Sequence, residues 1–153
     1  MSLDAAIARI ITEVRGLTPR RDPGQPFVCD EDATGAVVEI DKLVGQRDRV
    51  FELAVALPKD GGEAGATSGR LRVEVVLLLA YLARSDEGML DRRIGEDVGQ
   101  IQRHMFQPSV WDASVNTLEF RDATKEFFDV GGLEKGAAIA SIFWDLTYID
   151  EAL

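Results

Sequence analysis

Few residues in this chain have the type and spacing that chemistry needs. His104 is the only histidine and Cys29 the only cysteine, so neither a His-Glu-x-x-His helix nor a Cys-x-x-Cys pair can be assembled for a transition metal. A lone cysteine permits no internal disulfide and fits a reducing compartment or a fold that does not depend on cysteine. Ser109, Ser114 and Ser141 lack the strand-turn-helix context of a nucleophile elbow. Glu96 and Asp97 precede His104 on one helical stretch, and an acid with a histidine can perform general acid–base work. Asp97 and His104 are seven residues apart, two helical turns, which is about 10 Å along one face and long for direct cooperation.

Two segments have the outline of ligand loops. Asp60-Gly-Gly-Glu-Ala-Gly-Ala-Thr-Ser-Gly69 is rich in glycine, and glycines let backbone amides approach a phosphate. Neither phosphate-loop spacing can be laid on it, Asp60 and Glu63 repel an anion, and a strand follows where a helix is needed. A hairpin loop over 59–69 with the mobility of a Gly-rich link is the expectation. Asp30-Glu-Asp-Ala-Thr-Gly-Ala-Val-Val-Glu-Ile-Asp41 partly fits a calcium loop, with oxygen ligands at its first, third and fifth positions and Gly35 at the sixth. Its last acid, Asp41, is shorter than the glutamate such a loop needs, and Pro19, Pro23 and Pro26 forbid the incoming helix. A solvated acidic segment is the expectation, and no metal or other cofactor is implied.

The elements that must position these residues follow from periodicity. Leu3, Ile7, Ile10, Ile11, Val14 and Leu17 recur at helical spacing, so residues 3–16 read as an amphipathic helix that Gly16 and Pro19 terminate. Three prolines between Thr18 and Pro26 exclude regular helix and predict an exposed Pro-rich arm over 18–30. A short helix is read around Val37 to Val44. Residues 49–57 alternate as a strand, and Leu71 to Leu82 begins as alternation and becomes apolar on both faces, which places it centrally in a sheet. Met89, Leu90, Ile94, Val98, Ile101 and Met105 form a second helical stripe, with Asp86 as its cap, Asp91, Arg92, Arg93, Glu96, Asp97 and Arg103 on the wet side, and Pro108 at its end. Ser114–Arg121 and Ala137–Ile149 read as the last two strands. Phe120, Phe127, Phe128, Phe143, Trp144 and Tyr148 gather in the final third, either in a buried strand or with one face turned to a partner. The order helix-strand-strand-helix-strand-strand predicts an α+β domain over 1–153, with a largely antiparallel four-stranded sheet and helices packed on it.

Length and composition agree with one folded domain. The chain has 153 residues, 46 % hydrophobic and 29 % charged, close to globular averages. Its net charge of −10 has the wrong sign for a protein that grips nucleic acid phosphates over a broad surface. Asp4 stands where a signal peptide carries basic residues, and the most apolar run, Val75 to Leu82, is about half a membrane span. Neither secretion nor membrane insertion is expected.

The amphipathic first helix, the Pro-rich stretch, the strand pair Arg49–Leu57 and Arg70–Tyr81, the acid-rich helix with Asp91, Ile94, Asp97, Val98 and Ile101, and the terminal Phe143-Trp-Asp-Leu-Thr-Tyr148 together resemble tail terminator proteins of long-tailed bacteriophages. The likeness lies in length and element order and spans most of the chain. It implies a structural, non-enzymatic virion protein of the tail or neck, assembled in the host cytoplasm. Such a protein would form a hexameric ring on the tail tube, stop tube polymerisation and offer a surface to the head connector, with DNA passing through the lumen without tight binding. The expected partners are further copies of the chain, the tail tube protein and the connector. Flexible segments that order on contact would supply the interfaces: Pro19, Arg20, Arg21 and Pro23 in the arm, and Asp60, Gly61, Gly62, Glu63, Gly65, Thr67 and Ser68 in the loop. A head-completion or other neck protein is a second reading. A small cytoplasmic enzyme or ligand-binding domain built on Glu96, Asp97 and His104 is a third.

Overall fold

The longest alternating runs build the two longest strands. A computed structural model describes residues 3–29, 48–60, 70–82, 87–111, 118–128 and 137–149. Helix α1 (Leu3–Arg15) is followed by strands β1 (Val28–Cys29), β2 (Val50–Val55), β3 (Lys59–Asp60) and β4 (Arg70–Leu82). Helix α2 (Glu87–Met105) and a 3-10 turn at Pro108–Val110 lead to β5 (Leu118–Phe128) and β6 (Ala137–Ile149). The strands form one mixed sheet in the order β1-β2-β4-β6-β5, with β3 pairing onto β4. Every pairing is antiparallel except β1 with β2.

Strand β4 is central, as its two apolar faces require, between β2 and β6. Its register with β6 sets Val75 opposite Trp144 and Leu77 opposite Ile142. On that face Val73, Val75, Leu77 and Leu79 meet Ala140, Ile142, Trp144 and Leu146, none more than 1 % exposed. The two helices supply the other half of this core through Ala6, Ile10 and Val14 of α1 and Leu90, Ile94, Ile101 and Met105 of α2. Trp144 has its polar end satisfied, its Nε1 donating to Gln102 Oε1 of α2 at 2.8 Å. The opposite face carries Glu52 and Ala54 of β2, Arg72, Glu74, Val76 and Leu78 of β4, and Ser141, Phe143 and Asp145 of β6. No described helix packs on it, although Val50, Glu52, Ala80 and Ile139 at one end are no more than 5 % exposed; the other end, around Arg72, is the open part.

The four-stranded antiparallel expectation is corrected in three places. The arm is not wholly exposed: Pro19 is buried, Phe27 is 2 % exposed, and Val28–Cys29 add a parallel strand at the edge of the sheet. Proline forbids helix but not a path held by other groups, and donors from Arg49 hold this one. The 49–57 strand is shorter, because Arg49 sits at φ 62 and Pro58 has no N–H to pair; pairing resumes at Lys59 as β3, inside the segment read as loop. Of the Ser114–Arg121 strand, 114–117 lie outside the described residues; Leu118–Arg121 is strand, and it continues to Phe128. A bulge between Phe120 and Asp122 breaks the alternation there, and an edge strand exposed along Glu119–Phe127 has no buried face to impose a period. The helix read at 37–44, the Asp86 cap, the calcium-like segment 30–41 and residues 61–69 of the loop lie outside the described residues.

The two faces of β4 respond differently to truncation. Leu77→Ala is expected to cost about 3 kcal/mol in urea unfolding, and Leu78→Ala, half-buried on the open face, less than half of that. Equal losses would mean that both faces are packed alike.

Candidate functional site

The most concentrated polar chemistry lies inside the fold. Residues 90, 94, 97, 101 and 105 of α2 share one stripe, and the third of them is Asp97, fully buried. Its partner is Arg49, also fully buried, at the entrance to β2: Nε donates to Asp97 Oδ2 at 2.7 Å and Nη2 to Oδ1 at 3.0 Å. Arg49 Nη1 donates to the carbonyls of Asp22 and Gln25, each at 2.9 Å, and Nη2 also to that of Arg21. All five guanidinium donors are therefore used. Tyr81 of β4 donates its hydroxyl to Asp97 Oδ2 at 2.6 Å. Burial, reinforced by the Asp97 charge and this hydrogen bond, raises the Tyr81 pKa well above its ordinary value.

A second cluster repeats the device at lower burial. Asp48 accepts from the Leu82 amide at 2.7 Å and from Arg93 Nη1 at 2.8 Å, and Arg93 also donates to Gln25 Oε1. Gln100 of α2 binds the arm at both ends of its amide, donating to the Thr18 carbonyl at 2.7 Å and accepting from the Arg20 amide at 3.2 Å. These groups are committed to tying the arm, the sheet and α2 together.

The acid–histidine arrangement does not form. Asp97 faces Arg49 in the interior, whereas His104 lies within 2.7 Å of Glu13 and joins α2 to α1. Asp97, assigned to the wet side by composition, belongs to the buried stripe; its position three residues after Ile94 and four before Ile101 is the signal that reveals it. Glu96 stays outside, 4.0 Å from Arg21. Among the described residues no group of three or more His, Cys, Asp or Glu could hold a metal ion, and no helix there is long and apolar enough to cross a membrane. Of the expected contact residues, Arg20 and Pro23 are exposed, Arg21 is half-exposed and Pro19 is buried. Asp60 ends β3, and Gly61, Gly62, Glu63, Gly65, Thr67 and Ser68 lie outside the described residues.

Two surfaces remain, the first of which sequence reasoning missed. On the open face a cleft of about 260 Å³ is lined by Ala56, Leu57, Lys59, Arg72, Glu74, Arg121 and Asp145. Arg72 donates to Asp145, and that hydrogen bond with the attraction of the carboxylate raises the Arg72 pKa. Beside it β5 forms an edge of 11 residues that pairs only with β6 among the described residues, with Phe120 and Phe127 48 % and 49 % exposed. No protein-family model matches the chain, and no curated protein matches it in sequence.

Truncating Arg49 to alanine strands a buried carboxylate, and a loss of about 3–5 kcal/mol in denaturant unfolding is expected. The apolar pair Arg49→Met with Asp97→Leu is expected to recover only part of it, because three arm carbonyls still lose their donor. For Tyr81 the unfolded pKa is about 10 and the folded one higher. The stabilisation is therefore complete below pH 10 and is lost as pH rises toward the folded value. Tyr81→Phe should flatten the fall in stability above that pH, and an unchanged alkaline slope would refute the assignment.

Proposed function

We propose that the chain is a structural, ring-forming subunit of a phage tail: a terminator that caps the tail tube, ends its growth and offers a surface for joining the head. The observation that supports this reading is the β5 edge. A long edge strand with exposed backbone and large apolar side chains is a template for pairing with another chain unless something blunts it. Its residues Glu119–Phe127 are all exposed, and among the described residues it pairs with β6 alone. The opposite edge of the sheet is different, since β1 has only 2 residues and runs parallel to β2. Two unlike edges on one subunit favour head-to-tail contacts, which generate a ring when the rotation closes.

The charge is compatible with that role. A lumen wall from subunits of net charge −10 repels a passing duplex where a basic wall would hold it. The exposed part of the arm, Arg20 to Pro23, and the 59–69 loop remain the proposed additional contacts. The head connector and the tail tube protein are the partners this assigns.

Particles assembled without the gene are expected to carry overlong or headless tails by electron microscopy, and normal virions would refute the reading. Deleting residues 60–68 is expected to disturb tail length or head joining in the same assay.

A further inference from the structure

Asp145 of β6 is a carboxylate with a 7 % exposed side chain beneath two guanidiniums that are not themselves buried. Arg72 of β4 donates to its Oδ2, and Arg121 Nε lies 3.5 Å from the same oxygen. The Arg72 and Arg121 side chains are 50 % and 52 % exposed. Arg121 is the extra residue of the β5 bulge, between Phe120 opposite Trp144 and Asp122 opposite Phe143. Bulges re-aim a side chain, and this one carries Arg121 over the open face, where Nη1 comes within 3.9 Å of Glu74 Oε2. One inner carboxylate cannot use the donors of two guanidiniums, each with five N–H groups. The rest line the cleft beside Lys59, which pairs with Arg72 through the β3–β4 ladder. Leu57, 85 % exposed, forms an apolar lip.

We infer that this cleft binds a carboxylate-bearing segment of a second copy of the chain, an interface that rests on the self-assembly proposed above. Guanidiniums held in place from below match the planar, bidentate geometry of a carboxylate. Glu74 and Asp145 in the same walls work against a more highly charged phosphate. The second copy is the occupant for two reasons. The chain is acidic overall, with runs such as Asp30-Glu31-Asp32 and Asp150-Glu151, so a cleft of three cations against two acids is complementary to the chain's own charge. Arg121 also belongs to the β5 edge, and a second groove lined by Glu74, Arg121, Asp122, Thr124 and Phe143 continues the cleft toward that strand. A neighbour seated on the edge therefore lies within reach of the cleft.

The test uses the full chain, mixed from unlabelled and ¹⁵N-labelled copies and treated with a carbodiimide that couples carboxylates to amines. Mass spectrometry is expected to find an interchain amide from Lys59 to an Asp or Glu. Sedimentation is expected to show self-association weakened about tenfold in Arg72→Gln with Arg121→Gln. Lys59→Gln, which breaks no contact among the described residues, should remove the cross-link and weaken association by a smaller factor without moving the melting temperature. Copies that associate with no link at Lys59, or with links from within one chain only, and that ignore these substitutions would overturn the inference and leave the ring reading standing. A chain that never self-associates would overturn the inference, while tail phenotypes still judge the ring reading separately.

Discussion

A carboxylate with no access to water, Asp97, sets the terms for the rest of the fold. An isolated ion in that position would cost many kcal/mol, and partnering it is a condition of folding at all. Arg49 meets the condition from the entrance to β2, and the geometry needed to do so propagates outward. Its backbone takes φ 62, a conformation costing about 1–2 kcal/mol for a residue with a Cβ. Its amide still donates to the Ala80 carbonyl and its carbonyl accepts from the Val28 amide. The residue thus joins β1, β4, α2 and the arm at one point, and the strain is offset because five donors are satisfied there together.

This constraint explains why a Pro-rich stretch lies against the protein. Residues 21–25 form turns with few hydrogen bonds of their own, the Gln25 amide to the Asp22 carbonyl being one. Carbonyls without a partner would otherwise demand water. Arg49 takes three of them, and the Phe27 ring lies 5.6 Å from the guanidinium carbon, an arrangement that suits a cation over an aromatic face. The arm then continues as β1 and extends the sheet by one parallel strand. Asp48 and Arg93 repeat the arrangement one residue and one helical turn away, so the tether is distributed over two ion pairs.

The long elements were legible because burial on one face imposes a period. α1, β4, α2 and β6 all have an apolar stripe, interrupted in α2 by Asp97, and each lies where its stripe indicates, with Met89 alone of the α2 stripe left 47 % exposed. The short strands β1 and β3 have two residues each and no period to read. β5 was ended too early, at Arg121, because its residues 119–127 are exposed on both faces and its bulge shifts the alternation there. The Arg49–Asp97 pair was missed for another reason: composition suggests that a charged residue is solvated, and only its spacing within the Ile94–Ile101 stripe contradicts this. The cleft was beyond sequence reasoning altogether, since Lys59, Arg72, Arg121 and Asp145 come from four strands brought together by register.

The two sides of the sheet divide the polar groups according to what they can do. On the helix side Arg49 and Asp97 are desolvated and fully partnered, so they specify one arrangement of the chain and have little left to offer a ligand. On the open side Arg72 and Arg121 are half-exposed, held in position by Asp145 yet retaining donors, and such groups contribute more to orientation and encounter than to stability. The bulge connects this surface to the edge: the same extra residue that interrupts the β5 ladder supplies the second guanidinium of the cleft. A strand adding to β5 would meet a regular ladder only beyond Asp122, with a directional charged site at the interrupted end. An edge with two unlike ends defines the sense in which a neighbour can lie, and a fixed sense of contact is the geometric requirement for copies to close head to tail.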